Sequence, residues 1–261
     1  MTTKQSHVLH VGDAEVQFYR DHGYFIYQQP LFPQEKFQRL QHFFEDMLAE
    51  LPEGKRPEAM DVPHFAHREL FEWLFADEVL DFVEAFIGPD IVLWSSHFIS
   101  KPPGDGKRVP WHEDSAYWAP RLDRHEVLTV WLAIDDADEE NGAMAVIPGS
   151  HRHGQIDFAR SADDENNVLN QTVRDPLEYG GAPAALVMRA GQISLHTDLL
   201  LHGSDPNRSE RRRCGLTMRF VPPDVRAYKG WGGGAVICRG SDPSGFWVHH
   251  SRPAGDILPA S

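Results

Sequence analysis

VLTVWLAIDDADEENGAMAVIPGSH, residues 127–151, holds two apolar runs rich in β-branched residues, VLTVWLAID and AMAVIP. They are separated by the acidic, glycine-ended DEENG and followed by PGSHRHG. Runs of this length bounded by Gly, Pro, Asn and Asp predict strand, turn, strand, turn. The same pattern extends to both sides. IVLWSSHFISK (91–101), ALVMRAGQISLH (185–196) and CGLTMRFV (214–221) predict further strands, with PPGDG (102–106) as another turn. Many short strands in one domain point to a sandwich, a jelly roll or a small barrel.

Before residue 91 the apolar residues recur with a helical period. Asp13 is placed to cap a helix in AEVQFYRDHGY, with Val16, Phe18 and Tyr19 as its apolar stripe and Gly23 at its end. YFIYQQ then predicts a strand. PQEKFQRLQHFFEDMLAEL carries Phe37, Leu40, Phe43, Phe44, Met47 and Leu48 at spacings of three and four, an amphipathic helix. HRELFEWLF and DEVLDFVEAFIG predict a helical pair that stops at Gly88-Pro89. Beyond Lys229 the periodicity weakens. The expected organisation is one domain over residues 1–261: mostly helical support over 1–90, a strand core over 91–225, and a C-terminal segment, 226–261, as a candidate lid.

The 39 Asp and Glu outweigh 25 Lys and Arg and leave a formal net charge of −14. A nucleic-acid surface needs clustered cations to displace phosphate counterions, so no nucleic-acid partner is expected. Arg211-Arg212-Arg213 is the only basic run. No apolar stretch approaches the roughly 20 residues of a membrane-spanning helix, and no signal-peptide pattern opens the sequence. Two cysteines, Cys214 and Cys238, cannot build a disulfide framework. The expectation is a cytoplasmic protein that acts on a small molecule without a membrane partner.

Fifteen histidines in so acidic a chain make His-x-Asp/Glu matches expected by composition alone. There are three: His67-x-Glu69, His112-x-Asp114 and His196-x-Asp198. His112-x-Asp114, within VPWHEDSAYW, gains weight from its surroundings. On a strand residues i and i+2 share a face, so His112 and Asp114 can reach one ion while Glu113 faces away. His202 follows the strand-like ISLHTDLLL, 90 residues after His112. Two imidazoles and one carboxylate on one face of an octahedron leave open positions, the ligand set of non-haem Fe(II) oxygenases. Arg213, eleven residues after His202, heads the next strand across a turn that fits antiparallel neighbours. Its guanidinium suits the remote carboxylate of 2-oxoglutarate. Three-ligand zinc would leave that arginine unexplained. His196-x-Asp198 is the rival pair, and its blander reading is a capped strand end.

WHED (111–114), LTVWLAIDDADEENGAMAVIPGSH (128–151) and HGSDPNRSERRR (202–213) occur in this order. With FYRDHGYFIY near the start, they resemble the phytanoyl-CoA dioxygenase family of Fe(II)/2-oxoglutarate oxygenases. The motifs correspond to its W-H-x-D, its strand–turn–strand signature ending in P-G-S-H, and its H-x-S-x-x-N with arginine eleven past the histidine. The likeness covers about residues 91–223. It implies a mainly β fold with helices, a double-stranded β-helix (a cupin-like jelly roll) with the N-terminal helices packed outside. It implies His112, Asp114 and His202 as the catalytic Fe(II) ligands, and Arg213 and Ser204 on the distal carboxylate of 2-oxoglutarate. Thr129 and Trp131 would face the same cosubstrate, with Lys101, Tyr117 and Trp118 on the substrate side. A shorter turn would hand the arginine's role to Arg211 or Arg212. The implied reaction uses Fe(II), 2-oxoglutarate and O2 to hydroxylate an unactivated C–H, releasing succinate and CO2. Halogenases of this class lack the carboxylate ligand, so Asp114 favours hydroxylation. The alternatives are desaturation, epimerisation or cyclisation with the same cofactors, or a non-catalytic metal-binding cupin-like module.

Overall fold

The computed structural model describes residues 11–60, 62–118, 122–161, 166–228 and 235–249. The chain opens with α1 (Asp13–His22), β1 (Tyr24–Tyr27) and α2 (Gln34–Ala49), then α3 (Phe71–Leu74) and α4 (Asp77–Ile87). Strands β2 (Ile91–Lys101) and β3 (Val109–His112) follow, then the one-turn helix α5 (Ser115–Trp118), β4 (Leu128–Ala133) and β5 (Met144–Val146). Next come β6 (Ala159–Arg160), β7 (Gln171–Thr172), β8 (Ala184–Ala185) and β9 (Ile193–Thr197). The last are β10 (His202–Ser204), β11 (Arg213–Val221) and β12 (Val236–Arg239).

Six strands form one sheet in the order β1-β9-β4-β11-β2-β12, and four form another in the order β3-β10-β5-β8. Neighbours are antiparallel throughout both sheets. The two face one another without closing into a barrel, the jelly-roll arrangement expected above. No helix among the described residues is long and apolar enough to cross a membrane.

The six-stranded sheet divides its side chains by strand alternation. Leu128, Val130 and Leu132 of β4, Leu216, Met218 and Phe220 of β11, and Ile193 and Leu195 of β9 join Leu40, Phe44 and Met47 of α2 and Val79, Phe82 and Val83 of α4 in one core. Phe44 stacks on Phe98 of β2 at 4.6 Å. The helices therefore cover the outer face of this sheet, which leaves the inner face of β4, β9 and β11 to a cavity. That is why β4 is buried at every position: one face meets helices, the other the facing sheet.

Several expectations shift in detail. The cap of α1 is Gly12, whose N–H donates to Glu15 Oε2 at 3.0 Å, so Asp13 is instead in the first turn, where its charge suits the helix dipole. Gly23 ends α1 as expected, with φ 81° and its N–H on Tyr19 O. HRELFEWLF forms a 3-10 turn and the single turn of α3 rather than one continuous helix. ALVMRAGQISLH is two strands, β8 and β9, in different sheets, because the chain crosses between the sheets at the turn around Gly191. In the C-terminal segment β12 is an edge strand on β2. Half of the candidate lid, residues 229–234 and 250–261, lies outside the described residues.

Candidate active site

His112 and His202 sit directly opposite one another. β10 pairs with β3 in a register that sets His202 against His112, and the ring centroids are 4.2 Å apart. β3 ends at His112, so Asp114 is delivered by a turn into α5 rather than by strand alternation. Its carbonyl accepts the Tyr117 N–H at 3.0 Å, which bends the chain back over the site. Glu113 faces away as expected but is buried, with Oε2 accepting the Ile156 N–H at 2.9 Å. Burial pushes its carboxyl up to about 7.

The side chains of His112, Asp114 and His202 each bring one ligand atom within 4.8 Å of the others. The Nε2 atoms of His112 and His202 lie 4.0 and 3.9 Å from Asp114 Oδ1. The Nδ1 atoms donate to Pro110 O at 2.8 Å and Leu200 O at 2.9 Å. A carbonyl can only accept, so these bonds place the proton on Nδ1 and leave the Nε2 lone pairs aimed at a common point. Burial, with His202 alongside, lowers His112 to about 3, which keeps it neutral, as a metal ligand must be. Burial alone would push the Asp114 carboxyl up. Arg219, with smaller help from the three histidines, holds it down at about 2. Two imidazoles with Nε2 turned to one point and one carboxylate, preset in this way, fit a divalent cation.

His196, read above as part of a capped strand end, faces this cluster. Its Nε2 is 3.9 Å from Asp114 Oδ2 and its ring 5.0 Å from that of His202. Its Nδ1 is buried without a hydrogen-bond partner among the described residues, so none of them fixes its tautomer as the carbonyls do for His112 and His202. Asp198 is turned elsewhere, taking His125 Nδ1 at 3.0 Å and the Thr197 hydroxyl at 3.2 Å. The rival pair is split between two environments.

The cluster lines a cavity of about 750 Å³ between the sheets, which also takes in Arg213, Ser204, Thr129, Trp131, Lys101, Tyr117 and Trp118. Arg213 enters from β11 in the sheet opposite β10, so the two are not antiparallel neighbours. The turn between them crosses the sandwich. Arg213 is 3% exposed, with Nε donating to Gly142 O at 3.1 Å and Nη2 near the Ser204 hydroxyl at 3.5 Å. Its guanidinium lies 5.7 Å from the Trp131 ring. Arg211 pairs with Asp138 and Glu140, and Arg212 with Asp135 and Glu45, so neither enters the cavity.

Lys101 is opposite Arg213 in the β2–β11 register. Its Nζ donates to the carbonyls of Lys107 and Asp205 at 2.9 and 2.6 Å. Burial, and next Arg213, lower this amine to about 7. Tyr117 and Trp118 lie at the other end: the Tyr117 ring is 5.9 Å from that of His112, and Trp118 sits 5.2 Å from the Arg219 guanidinium. Sequence reading weighed His196 only as half of a rival pair with Asp198 and passed over Arg219. Arg219 is six residues after Arg213, on the same face of one strand, and that even spacing was the available signal.

A phytanoyl-CoA dioxygenase (PhyH) family model matches residues 19–215. The peroxisomal phytanoyl-CoA dioxygenase of Bos taurus is 31% identical over 158 residues, 59% of this chain and 46% of that protein. A probable alpha-ketoglutarate-dependent hypophosphite dioxygenase of Stutzerimonas stutzeri is 30% identical over 175 residues, 65% of this chain and 59% of that protein. The matched stretch spans about half the length of these curated relatives. Among solved structures, the non-heme monooxygenase ThoJ superposes with a TM-score of 0.74 at 24% identity, covering 93% of this chain and 90% of that one. From β1 to the start of β11, the stretch that holds every residue of the His-Asp-His cluster, the chain belongs to the phytanoyl-CoA dioxygenase family.

Proposed function

We propose that the protein is a non-haem Fe(II)- and 2-oxoglutarate-dependent dioxygenase that hydroxylates a C–H bond of a small molecule. The observation that carries this reading is one cavity with a His-Asp-His cluster on one side and a buried arginine, matched to a carboxylate, on the other. His112, Asp114 and His202 would hold the metal. Arg213, with the Ser204 hydroxyl beside it, would take the distal carboxylate of 2-oxoglutarate. Lys101, on the neighbouring strand, is assigned to that same end rather than to the substrate. Thr129 and Trp131 wall the cosubstrate, and Tyr117 and Trp118 the substrate.

Bound there, Fe(II) with 2-oxoglutarate and O2 would supply the oxidising power for hydroxylation, with release of succinate and CO2. The chain's own part is orientation and exclusion of water. The Nδ1–H bonds of the two histidines hold the rings, and the apolar walls around Trp94, Trp118 and Trp131 keep the reacting carbon away from bulk solvent. An intact arginine subsite argues for an enzyme over a metal-binding module, which has no use for it.

The test is succinate formation from 2-oxoglutarate with Fe(II) and ascorbate, beside metal binding at equilibrium. Asp114→Ala is expected to weaken both by more than about a hundredfold, beyond the usual cost of losing a supporting residue around a metal. Asp198→Ala is expected to keep metal affinity while lowering stability, because it strips His125 of its partner. Metal binding that survives Asp114→Ala and is lost in Asp198→Ala would reverse the assignment.

A further inference from the structure

The inner face of the six-stranded sheet is laid out in rows across its strands. One row is Lys101 and Arg213; two positions further along each strand is Ile99 beside Gly215, then His97, Thr217, Trp131 and Ser194. The last row is Ser95, Arg219, Thr129 and His196, which faces Asp114. β2 carries an extra residue opposite Arg219, because Arg219 pairs with Ser95 and Phe220 with Leu93. The bulge places Trp94 against Trp118, ring centroids 4.8 Å apart, next to the Arg219 guanidinium. At roughly 3.3 Å per residue, Arg219 stands about 20 Å along β11 from Arg213, at the opposite end of the cavity.

Arg219 is an unbalanced cation at that end. Its Nε lies 3.7 Å from Asp114 Oδ2, an ion-pair contact beyond hydrogen-bond reach, and has no hydrogen-bond partner among the described residues. Nη1 donates to His97 Nδ1 at 3.2 Å and approaches the Thr217 hydroxyl at 3.4 Å, neither of them charged in that role. Among the described lining residues Asp114 is the only acid, against Arg56, Lys101, Arg213 and Arg219. Arg56 is neutralised by Asp105 at 2.9 Å. On the reading proposed above, the distal carboxylate of 2-oxoglutarate matches Arg213. A divalent metal, Asp114 and the second carboxylate then sum to zero. Lys101 stays at the Arg213 end, on the carbonyls of Lys107 and Asp205, which leaves Arg219 as the positive charge at its own end, in a site walled by Trp94, Trp118 and Phe65. An uncompensated cation in such surroundings is costly, and an anion that meets it is favoured accordingly.

Resting on that reading, we infer that the substrate is an anion, a carboxylate carried on an apolar body, and that Arg219 is the residue that selects it. The carboxylate takes the guanidinium edge that Asp114 leaves unbonded, and the apolar body lies against Trp94 and Trp118. Arg219 is thereby a specificity-determining residue rather than only a brace for Asp114.

The experiment uses the full chain loaded with Mn(II) and saturating 2-oxoglutarate, so that Arg213 is already occupied. Binding of both is measured first; if the unsubstituted protein takes up neither, the oxygenase reading fails and this inference falls with it. The loaded protein is then titrated with 3-phenylpropanoate and with 3-phenylpropanamide, followed by tryptophan fluorescence. The acid is expected to bind roughly tenfold or more tighter than the amide, the scale of one charge-assisted hydrogen bond. Arg219→Gln removes that difference, and Arg219→Lys restores part of it, each read at saturating Mn(II) and 2-oxoglutarate. Equal binding of acid and amide, a preference that survives Arg219→Gln, or an acid that does not bind at millimolar concentration would each overturn the inference. A purely bracing role for Arg219 would show as weaker Mn(II) binding in Arg219→Gln with no change in the acid-to-amide ratio.

Discussion

Asp114 uses its two oxygens differently. Oδ1 faces His112 and His202, while Oδ2 faces His196 and Arg219, so the groups around the carboxylate fix which oxygen is offered to a metal. Lys101 is a second case in which surroundings decide chemistry. With its amine lowered to about 7 by burial and by Arg213, it is largely neutral above pH 7 in the free protein. A carboxylate bound beside Arg213 would favour the charged form, so binding takes up a proton wherever the amine starts out neutral. The 2-oxoglutarate affinity is therefore expected to be at its full value below about pH 7. It should fall as pH rises above that, by at most about tenfold per unit. Titrations across this range would show the slope in the unsubstituted protein and a flat line in Lys101→Met. A slope unchanged in Lys101→Met would assign the proton elsewhere.

At the scale of elements, β11 carries most of the design. Even-numbered residues from Cys214 to Phe220 feed the core beneath the helices, and Arg213, Thr217 and Arg219 face the cavity. Gly215 interrupts the cavity-facing set for a steric reason: a Cβ there would lie 2.1 Å from the Trp131 ring. The missing side chain lets the indole lie across β11 below Arg213. Gly215→Ala is expected to cost about 1–3 kcal/mol by overpacking, although alanine is the better strand residue. It should also raise the KM for 2-oxoglutarate several-fold, because Trp131 has to move. Chemical denaturation and steady-state kinetics would check both; an unchanged KM would show that the indole does not bear on the cosubstrate. Most of β11 was legible in the sequence as CGLTMRFV, because alternation under a helical layer leaves a strong apolar signal. β8 and β9 were not separable, because one apolar run serves two sheets and only the crossing distinguishes them.

For the whole molecule, the site joins two layers. The cluster and Ser204 belong to the four-stranded side, and Arg213 and Lys101 to the six-stranded side. A cosubstrate held at both ends would tie the sheets together and add to stability by mass action. Metal and 2-oxoglutarate, each at a hundredfold excess over Kd, should contribute about 2.7 kcal/mol apiece, each a rise in Tm of roughly 5–10 °C. Arg213→Ala should abolish the increment from 2-oxoglutarate and keep that from the metal. Thermal melts with each ligand separately and together would show it, and an equal 2-oxoglutarate increment in Arg213→Ala would remove that residue from the subsite.

Legible in the chain alone were most of the short strands, the amphipathic helices and a set of candidate residues with suitable chemistry: His112 with Asp114, His202, and an arginine eleven residues on. Those follow from local periodicity, turn residues and fixed spacing. Only the tertiary structure decided which arginine of three enters the cavity, that Asp114 arrives through a turn, that Lys101 belongs beside Arg213, and that His196 and Arg219 complete the surroundings of Asp114. Each of these depends on strand register across sheets and on which charges are desolvated together, quantities that no single stretch of chain contains.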